Sequence, residues 1–335
     1  MSTYKEPLLD VAHLGRLELL TPKPEQSLWY FRDLLGMEVV ATEGDSVYMR
    51  AYGDYAHSTF KLTAASQPGP GTISWRCMSP QALERRVKAI EAAGLGIGWK
   101  DGDVGRGRFY QFRDPDGHQM DIYFEEQKYR APDALRSTLK NLPQRYTARG
   151  ANVRRIDHLA LCAQDVAKNR EFAMDLLGFR VREQVVYNQG RTEIGSWMSL
   201  GQIHHEMAYV LDVKGAHGRM HHMSFWIDNR EDVLRAADIL AENNIFIEAG
   251  PSKHNNSQAF YLYSYEPGGN RIEIYSGSFI VTAPDFETVT WNEEERGTGV
   301  YWGGALPPSF LNYCTPNVDV PVPEENANVP VFDPV

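Results

Sequence analysis

The chain has 335 residues, enough for two domains or three at roughly 100–200 residues each, and its 42% apolar and 23% charged residues exclude disordered, collagen-like and small disulfide-stapled chains. Lysine and arginine total 34 against 44 acidic residues, a formal charge of −10 that argues against nucleic acid or an anionic membrane surface as partner. Cys77, Cys162 and Cys314 lack C-x-x-C spacing, the N-terminus carries no basic-then-apolar signal, and no apolar run of about 18 residues occurs; these features suit a cytoplasmic protein without a disulfide framework or a membrane span.

Taken in chain order, Leu17 and Leu19 alternate with other residues as in a β-strand, and the helical spacing of residues 25–35 stops at Gly36. A second strand over residues 73–78 and a helix over residues 80–93 follow, and Pro115-Asp-Gly117 is turn chemistry before a hairpin strand ending at Tyr123. The same landmarks then return in the same order: a strand holding Leu159 and Leu161, a helix over residues 167–177 stopping at Gly178, a strand over residues 222–227, a helix over residues 231–243, and the turn Pro267-Gly-Gly269 before a strand ending at Tyr275. Each half therefore holds two strand-helix-strands units. The polar stretch 129–152 separates the halves, and beyond Gly277 a Pro-rich tail shows little regular pattern. This organisation predicts domains at residues 7–128 and 152–277 and a tail at 278–335.

Six of the ten histidines fall between His204 and His254. Three side chains on predicted strands of the second half, His158, His222 and Glu273, are distant in sequence, so only folding brings them together. Two imidazoles and one carboxylate on one face leave coordination positions open, the arrangement that suits non-haem Fe(II) when substrate and dioxygen must both bind; manganese is the alternative. Any one of the three, taken alone, reads more readily as a hydrogen-bonded core residue, and only the three together favour a site. The first half is an internal control: Arg16 falls opposite His158, Asp121 opposite Glu273, and no histidine falls opposite His222. An Arg16–Asp121 ion pair is the expected replacement for a metal there. The glycine-rich stretch 102–107 does not open a helix after a strand and is set aside as a nucleotide loop. His57, His118 and His217 read as surface or turn residues.

The segments Arg219-Met-His-His-Met-Ser-Phe225 and Ala259-Phe-Tyr-Leu-Tyr-Ser-Tyr-Glu-Pro-Gly-Gly-Asn-Arg-Ile-Glu-Ile-Tyr275 resemble the type I extradiol ring-cleaving dioxygenases of the vicinal oxygen chelate superfamily, a similarity that spans about residues 10–310. The resemblance implies an α+β fold of paired βαβββ modules forming a cup-shaped mixed sheet in each of two similar domains, with Fe(II) held by His158, His222 and Glu273. It implies His221 on the opposite strand face, His205 rather than His204 as the acid–base histidine, His254 and Tyr263 as substrate contacts, and Trp197 as a pocket wall. Catechol and O2 are the implied substrates and a 2-hydroxymuconic semialdehyde the product, in an assembly that relatives form as homotetramers. Family members that cleave homoprotocatechuate clamp its carboxylate with arginines. Those positions here are Ala249 and Gly299, with Arg296 three residues out of register, so catechol or an alkyl- or chloro-catechol is preferred. The fold also carries glyoxalase-like isomerases and non-catalytic binding proteins, the rival readings.

Overall fold

The computed structural model describes residues 6–295 and 299–316. In the first half, β1 (Val11–Thr21) leads into α1 (Pro24–Trp29), β2 (Glu38–Glu43), β3 (Ser46–Arg50) and β4 (Phe60–Ala64); β5 (Gly69–Cys77) leads into α2 (Pro80–Ala92), β6 (Gly96–Lys100), β7 (Phe109–Arg113) and β8 (Gln119–Tyr123). In the second half, β9 (Arg155–Ala163) is followed by α3 (Val166–Phe172), β10 (Arg180–Tyr187), β11 (Thr192–Ser199) and β12 (Met207–Leu211). Then β13 (Met220–Trp226) is followed by α4 (Arg230–Glu242), β14 (Ile247–Lys253), β15 (Ala259–Tyr265) and β16 (Arg271–Gly277). Two βαβββ modules per half is the predicted plan.

The modules join through their first strands. The first sheet runs β2-β3-β4-β1-β5-β8-β7-β6, and the second runs β14-β15-β16-β13-β9-β12-β11-β10 with β17 (Val289–Trp291) added at the β10 edge. The tail is thus more ordered than its composition suggests: besides β17 it contains α5 (Pro308–Asn312). Among the described residues no helix is long and apolar enough to cross a membrane.

Helix ends follow the sequence signals. α1 and α3 each continue through a wide π turn, residues 30–34 and 173–177, before the chain reverses at Gly36 and Gly178 with φ of +81° and +87°. That left-handed conformation costs glycine little and other residues much. Ser79, Asp165 and Asn229 cap α2, α3 and α4, each side chain accepting the backbone N–H three residues on.

A continuous apolar core links the two halves. Phe31 and Phe60 of the first half lie 4.6 Å apart, Phe225 of the second packs 5.9 Å from Phe60, and Trp75 meets Phe179 edge-on at 5.1 Å. Buried polar bonds fix the orientation: Ser27 donates to Glu266 at 2.5 Å, Tyr209 to Asp114 at 2.7 Å, and Tyr30 meets Ser264 at 2.8 Å. His118 does sit in a turn, but it is buried, not on the surface. Its ring spans Asp114 at 2.7 Å and the Arg219 carbonyl at 2.9 Å, pinning that turn to the other half. Residues that would be solvated in one isolated module become buried when two modules pack.

Candidate active site

Strand register places the predicted ligands. Tyr263 pairs with Glu273, Glu273 with Ser224, and Ser224 with His158, so these four side chains occupy one row on one sheet face. The adjacent row on that face runs His222, Ala160, Ala208, Trp197, Glu183. Seven strands therefore converge on one concave surface, which is how residues scattered from His158 to Glu273 become neighbours.

His158 Nε2 lies 3.3 Å from His222 Nε2 and 2.8 Å from a Glu273 oxygen, and His222 Nε2 lies 3.4 Å from the same oxygen. Adjacent donors bonded at about 2.1 Å to one octahedral ion stand about 3 Å apart, which these separations match. Both Glu273 oxygens are buried without a well-formed hydrogen bond, an orphaned carboxylate that a cation would satisfy. The three residues are the single group of this kind among the described residues. Burial opposes charge on His158, yet the Glu273 and Asp157 carboxylates raise it to about 9; burial lowers His222 to about 4. The carboxylate of Glu273, despite burial, is held well below its usual range by the facing imidazoles.

The outer nitrogens of the two imidazoles are oriented in turn. His158 Nδ1 donates to Asp157 at 2.9 Å, which turns Nε2 inward, where a cation would take the place of its proton. His221 Nε2 donates to the Phe310 carbonyl at 2.6 Å, so its Nδ1 accepts from His222 Nδ1 at 2.6 Å, and His222 Nε2 also faces inward as an acceptor. This corrects the expectation that His221 lies on the far face. The register shifts between Met220 and His222, and the bulge turns the His221 ring onto its neighbour.

His205 stands beside the triad, its ring centroid 4.0 Å from that of His158. Behind it, His204 Nε2 donates to Glu183 at 3.0 Å and His204 Nδ1 accepts from His205 Nδ1 at 2.8 Å, so His205 presents Nε2 as a proton acceptor. Glu183 is itself fixed by the Ser257 N–H at 3.0 Å and the Trp291 indole at 2.7 Å. Burial and the nearby His158 lower His205 well below the usual histidine range, keeping it neutral. Sequence reasoning chose His205 over His204 but did not find the Glu183–His204 pair. The doubled His204-His205, echoing His221-His222, was the available signal.

On the other side, His254 Nδ1 donates to the Gly299 carbonyl at 2.9 Å and its Nε2 accepts from the Tyr263 hydroxyl at 3.0 Å. The same Nε2 lies 3.4 Å from Glu273, so the pair adjoins the triad. Burial raises the Tyr263 phenol well above its usual range, and it stays protonated as a donor. Gly299 thus takes part through its backbone, not as a substitute for an arginine. Arg296 lies outside the described residues. Trp197 shares the sheet face of the triad, three strands from His222. The tail closes this side of the cup: Phe310 packs 4.8 Å from Tyr263 and 4.7 Å from His221.

In the first half the corresponding row is Gln111, Asp121, Ser74, Arg16. The predicted Arg16–Asp121 pair does not form. Arg16 bonds Asp103 at 2.7 Å, and Asp103 bonds Arg106 at 2.8 Å. Arg106 in turn bonds Asp121 at 2.9 Å. Asp103 and Arg106 come from the glycine-rich stretch set aside above. Both carboxylates, the buried one of Asp121 and the partly exposed one of Asp103, thus meet a guanidinium, where a direct two-residue pair would have left Arg106 without Asp121.

The sequence matches the model of the Glyoxalase/Bleomycin resistance protein/Dioxygenase superfamily twice, over residues 13–122 and 155–274. It is 44% identical over 316 residues to a metapyrocatechase of Geobacillus stearothermophilus, covering 93% of this chain and 96% of that protein. It is 37% identical over 299 residues to a manganese-dependent 2,3-dihydroxybiphenyl 1,2-dioxygenase of Geobacillus genomosp. 3, covering 88% and 94%. Among solved structures, the anaerobic substrate complex of homoprotocatechuate 2,3-dioxygenase from Brevibacterium fuscum superposes with a TM-score of 0.81 at 26% identity, covering 94% of this chain and 95% of that one. The doubled βαβββ architecture, the two family matches and the relatives agree: the chain belongs to the Glyoxalase/Bleomycin resistance protein/Dioxygenase superfamily and, within it, to the extradiol ring-cleaving dioxygenases.

Proposed function

We propose that this enzyme opens catechol, or a catechol bearing a small uncharged substituent, with O2 at the ring bond beside the diol, giving a 2-hydroxymuconic semialdehyde. The observation that carries this reading is the buried His158, His222 and Glu273 on one sheet face, flanked by His205 and by the His254–Tyr263 pair. The chemistry is assigned to the unit 152–277, with 7–128 as its metal-free partner domain. His158, His222 and Glu273 would hold Fe(II), which when bound supplies Lewis acidity to both diol oxygens and brings O2 beside the ring.

The remaining work falls to the protein. His205, neutral and with Nε2 free, takes a proton from the substrate hydroxyl and returns it later, a role generally worth about 10²–10⁴ in rate. The Tyr263 hydroxyl, turning from His254, donates to a substrate oxygen and stabilises negative charge as it develops there, and His254 Nε2, its ring N–H held by the Gly299 carbonyl, accepts from a substrate hydroxyl. Trp197, in the row of His222 but three strands away, walls the far side of the pocket. Ala249, paired with Tyr263 across β14 and β15, offers no cation for a substrate carboxylate, which favours uncharged catechols over homoprotocatechuate.

Manganese in the same three ligands is a second reading, favoured by the relative whose name specifies that metal. The assembly and compartment we assign are a homotetramer and the cytoplasm. The test is anaerobic loading with Fe(II) or Mn(II), then catechol, then air. A yellow ring-fission product supports the reading, and a colourless mixture with either metal refutes it.

A further inference from the structure

Two of the three cysteines, 152 positions apart, have been brought together: the Cys162 and Cys314 sulfurs lie 2.7 Å apart. That is closer than two non-bonded sulfurs rest even when one thiol donates to the other, and a disulfide needs only a further approach to about 2.05 Å. Cys162 is on β9, buried at 1% exposure, while Cys314 is partly exposed. Backbone bonds hold the two segments in register, with Met220 and Thr315 exchanging N–H···O bonds at 3.0 and 2.9 Å next to the Cys162 N–H bond to Arg219 at 2.8 Å.

The surroundings suit thiol exchange. The hydrogen bond that the Cys162 thiol donates, supported by the Arg219 and Arg271 guanidiniums, outweighs burial and holds Cys314 below the usual thiol range, while burial raises Cys162 well above it. A thiolate that is partly exposed and beside cations, with a second sulfur in contact, is the arrangement of an attacking and a resolving cysteine. Cys77, buried in the other half, has no such neighbour.

We infer that Cys162 and Cys314 are a thiol–disulfide modification site that clasps the C-terminal segment 307–316 onto β9. The oxidant is a small disulfide such as glutathione disulfide. The Cys314 thiolate attacks one of its sulfurs and expels a glutathione thiolate. Cys162 then gives up its proton and attacks the Cys314 sulfur, expelling the second glutathione. Two protein thiols lose two electrons, the small disulfide gains them, and the protons leave on the two glutathione thiols. The clasped segment carries Phe310 against Tyr263 and His221, and its carbonyls at Ser309 and Tyr313 accept from Arg271 at 3.1 and 2.9 Å. The modification therefore fixes a wall of the catalytic cup, and its chemistry does not depend on which catechol is cleaved.

The test treats the metal-loaded enzyme with glutathione disulfide, alkylates free thiols, and maps peptides without reduction. The expected result is a Cys162–Cys314 linked pair that dithiothreitol reverses, with Cys77 alkylated. Protease release of the C-terminal segment should slow by about tenfold, since cleavage tracks the population of the opened tail. Cys314→Ser should lose both effects and Cys77→Ser should keep both. Free thiols at both positions, a glutathione adduct left on Cys314, or a cross-link without altered protease release would each overturn the inference, and the wild-type measurement alone decides it.

Discussion

Replacing His204 with phenylalanine isolates the part of the site that no motif announced. The substitution keeps an aromatic ring where His204 packs 4.8 Å from Phe279, and removes the hydrogen bonds to His205 at 2.8 Å and to Glu183 at 3.0 Å. When His205 takes up a proton, the His204–Glu183 pair stabilises the resulting cation. A hydrogen bond to a charged group contributes about 1.5–3 kcal/mol, which is about 10- to 150-fold in kcat. Because His204 touches no proposed ligand of the metal, metal content and KM for catechol should stay near wild type. Glu183 keeps Ser257 and Trp291 as partners, so the variant should fold with a melting temperature lowered by only a few degrees. The assay is steady-state ring cleavage at saturating O2 with metal analysis on the same samples, and His204→Gln, which can still bridge the two groups, should recover part of the rate. If His204→Phe turns over within twofold of wild type while His205→Asn is crippled, the relay has no role. If His205→Asn is itself unimpaired, the acid–base assignment fails instead.

Further predictions follow from the same geometry. His205→Asn should retain metal and lose about 10²–10⁴ in kcat, measured by product absorbance. Tyr263→Phe should lower kcat by about tenfold or more, through loss of a donor to developing charge, with an unchanged rate counting against its placement. In a substrate panel, catechol and its methyl or chloro derivatives should have higher kcat/KM than homoprotocatechuate, and the reverse order would contradict the reading of Ala249. Burial raises the Glu206 carboxyl from 4.5 to about 7, so the folded state holds its proton more tightly than the unfolded chain does. Its contribution is therefore best below pH ~4.5 and is lost as pH rises to about 7, up to about 3 kcal/mol in all. Glu206→Gln should flatten the difference in melting temperature between pH 5 and pH 8, and an unchanged difference would show that Glu206 is ionised in the fold.

The doubled module was legible because its punctuation is local: the glycines at 36 and 178 and the turns before β8 and β16 each act over a few residues. The grouping of His158, His222 and Glu273 was legible for a related reason, since residues on strands of one sheet alternate in a known way. What escaped the sequence depends on geometry that no local pattern encodes. The bulge at residues 220–222 turned His221 onto His222, and the loop at residues 102–107 supplied Asp103 and Arg106 between Arg16 and Asp121. The tail carried too little periodicity to reveal that its Gly299 and Phe310 carbonyls complete the hydrogen bonding of His254 and His221. The Cys162–Cys314 contact joins β9 to that same tail and was invisible for the same reason.

If His158, His222 and Glu273 hold the catalytic ion, equilibrium dialysis of Fe(II) under argon will separate wild type from Glu273→Gln. One tightly held iron per wild-type chain is expected, with binding weakened by about 100-fold or more in the variant and the fold intact by circular dichroism. Equal affinity in the two proteins, or a second tight iron per wild-type chain, would contradict that assignment.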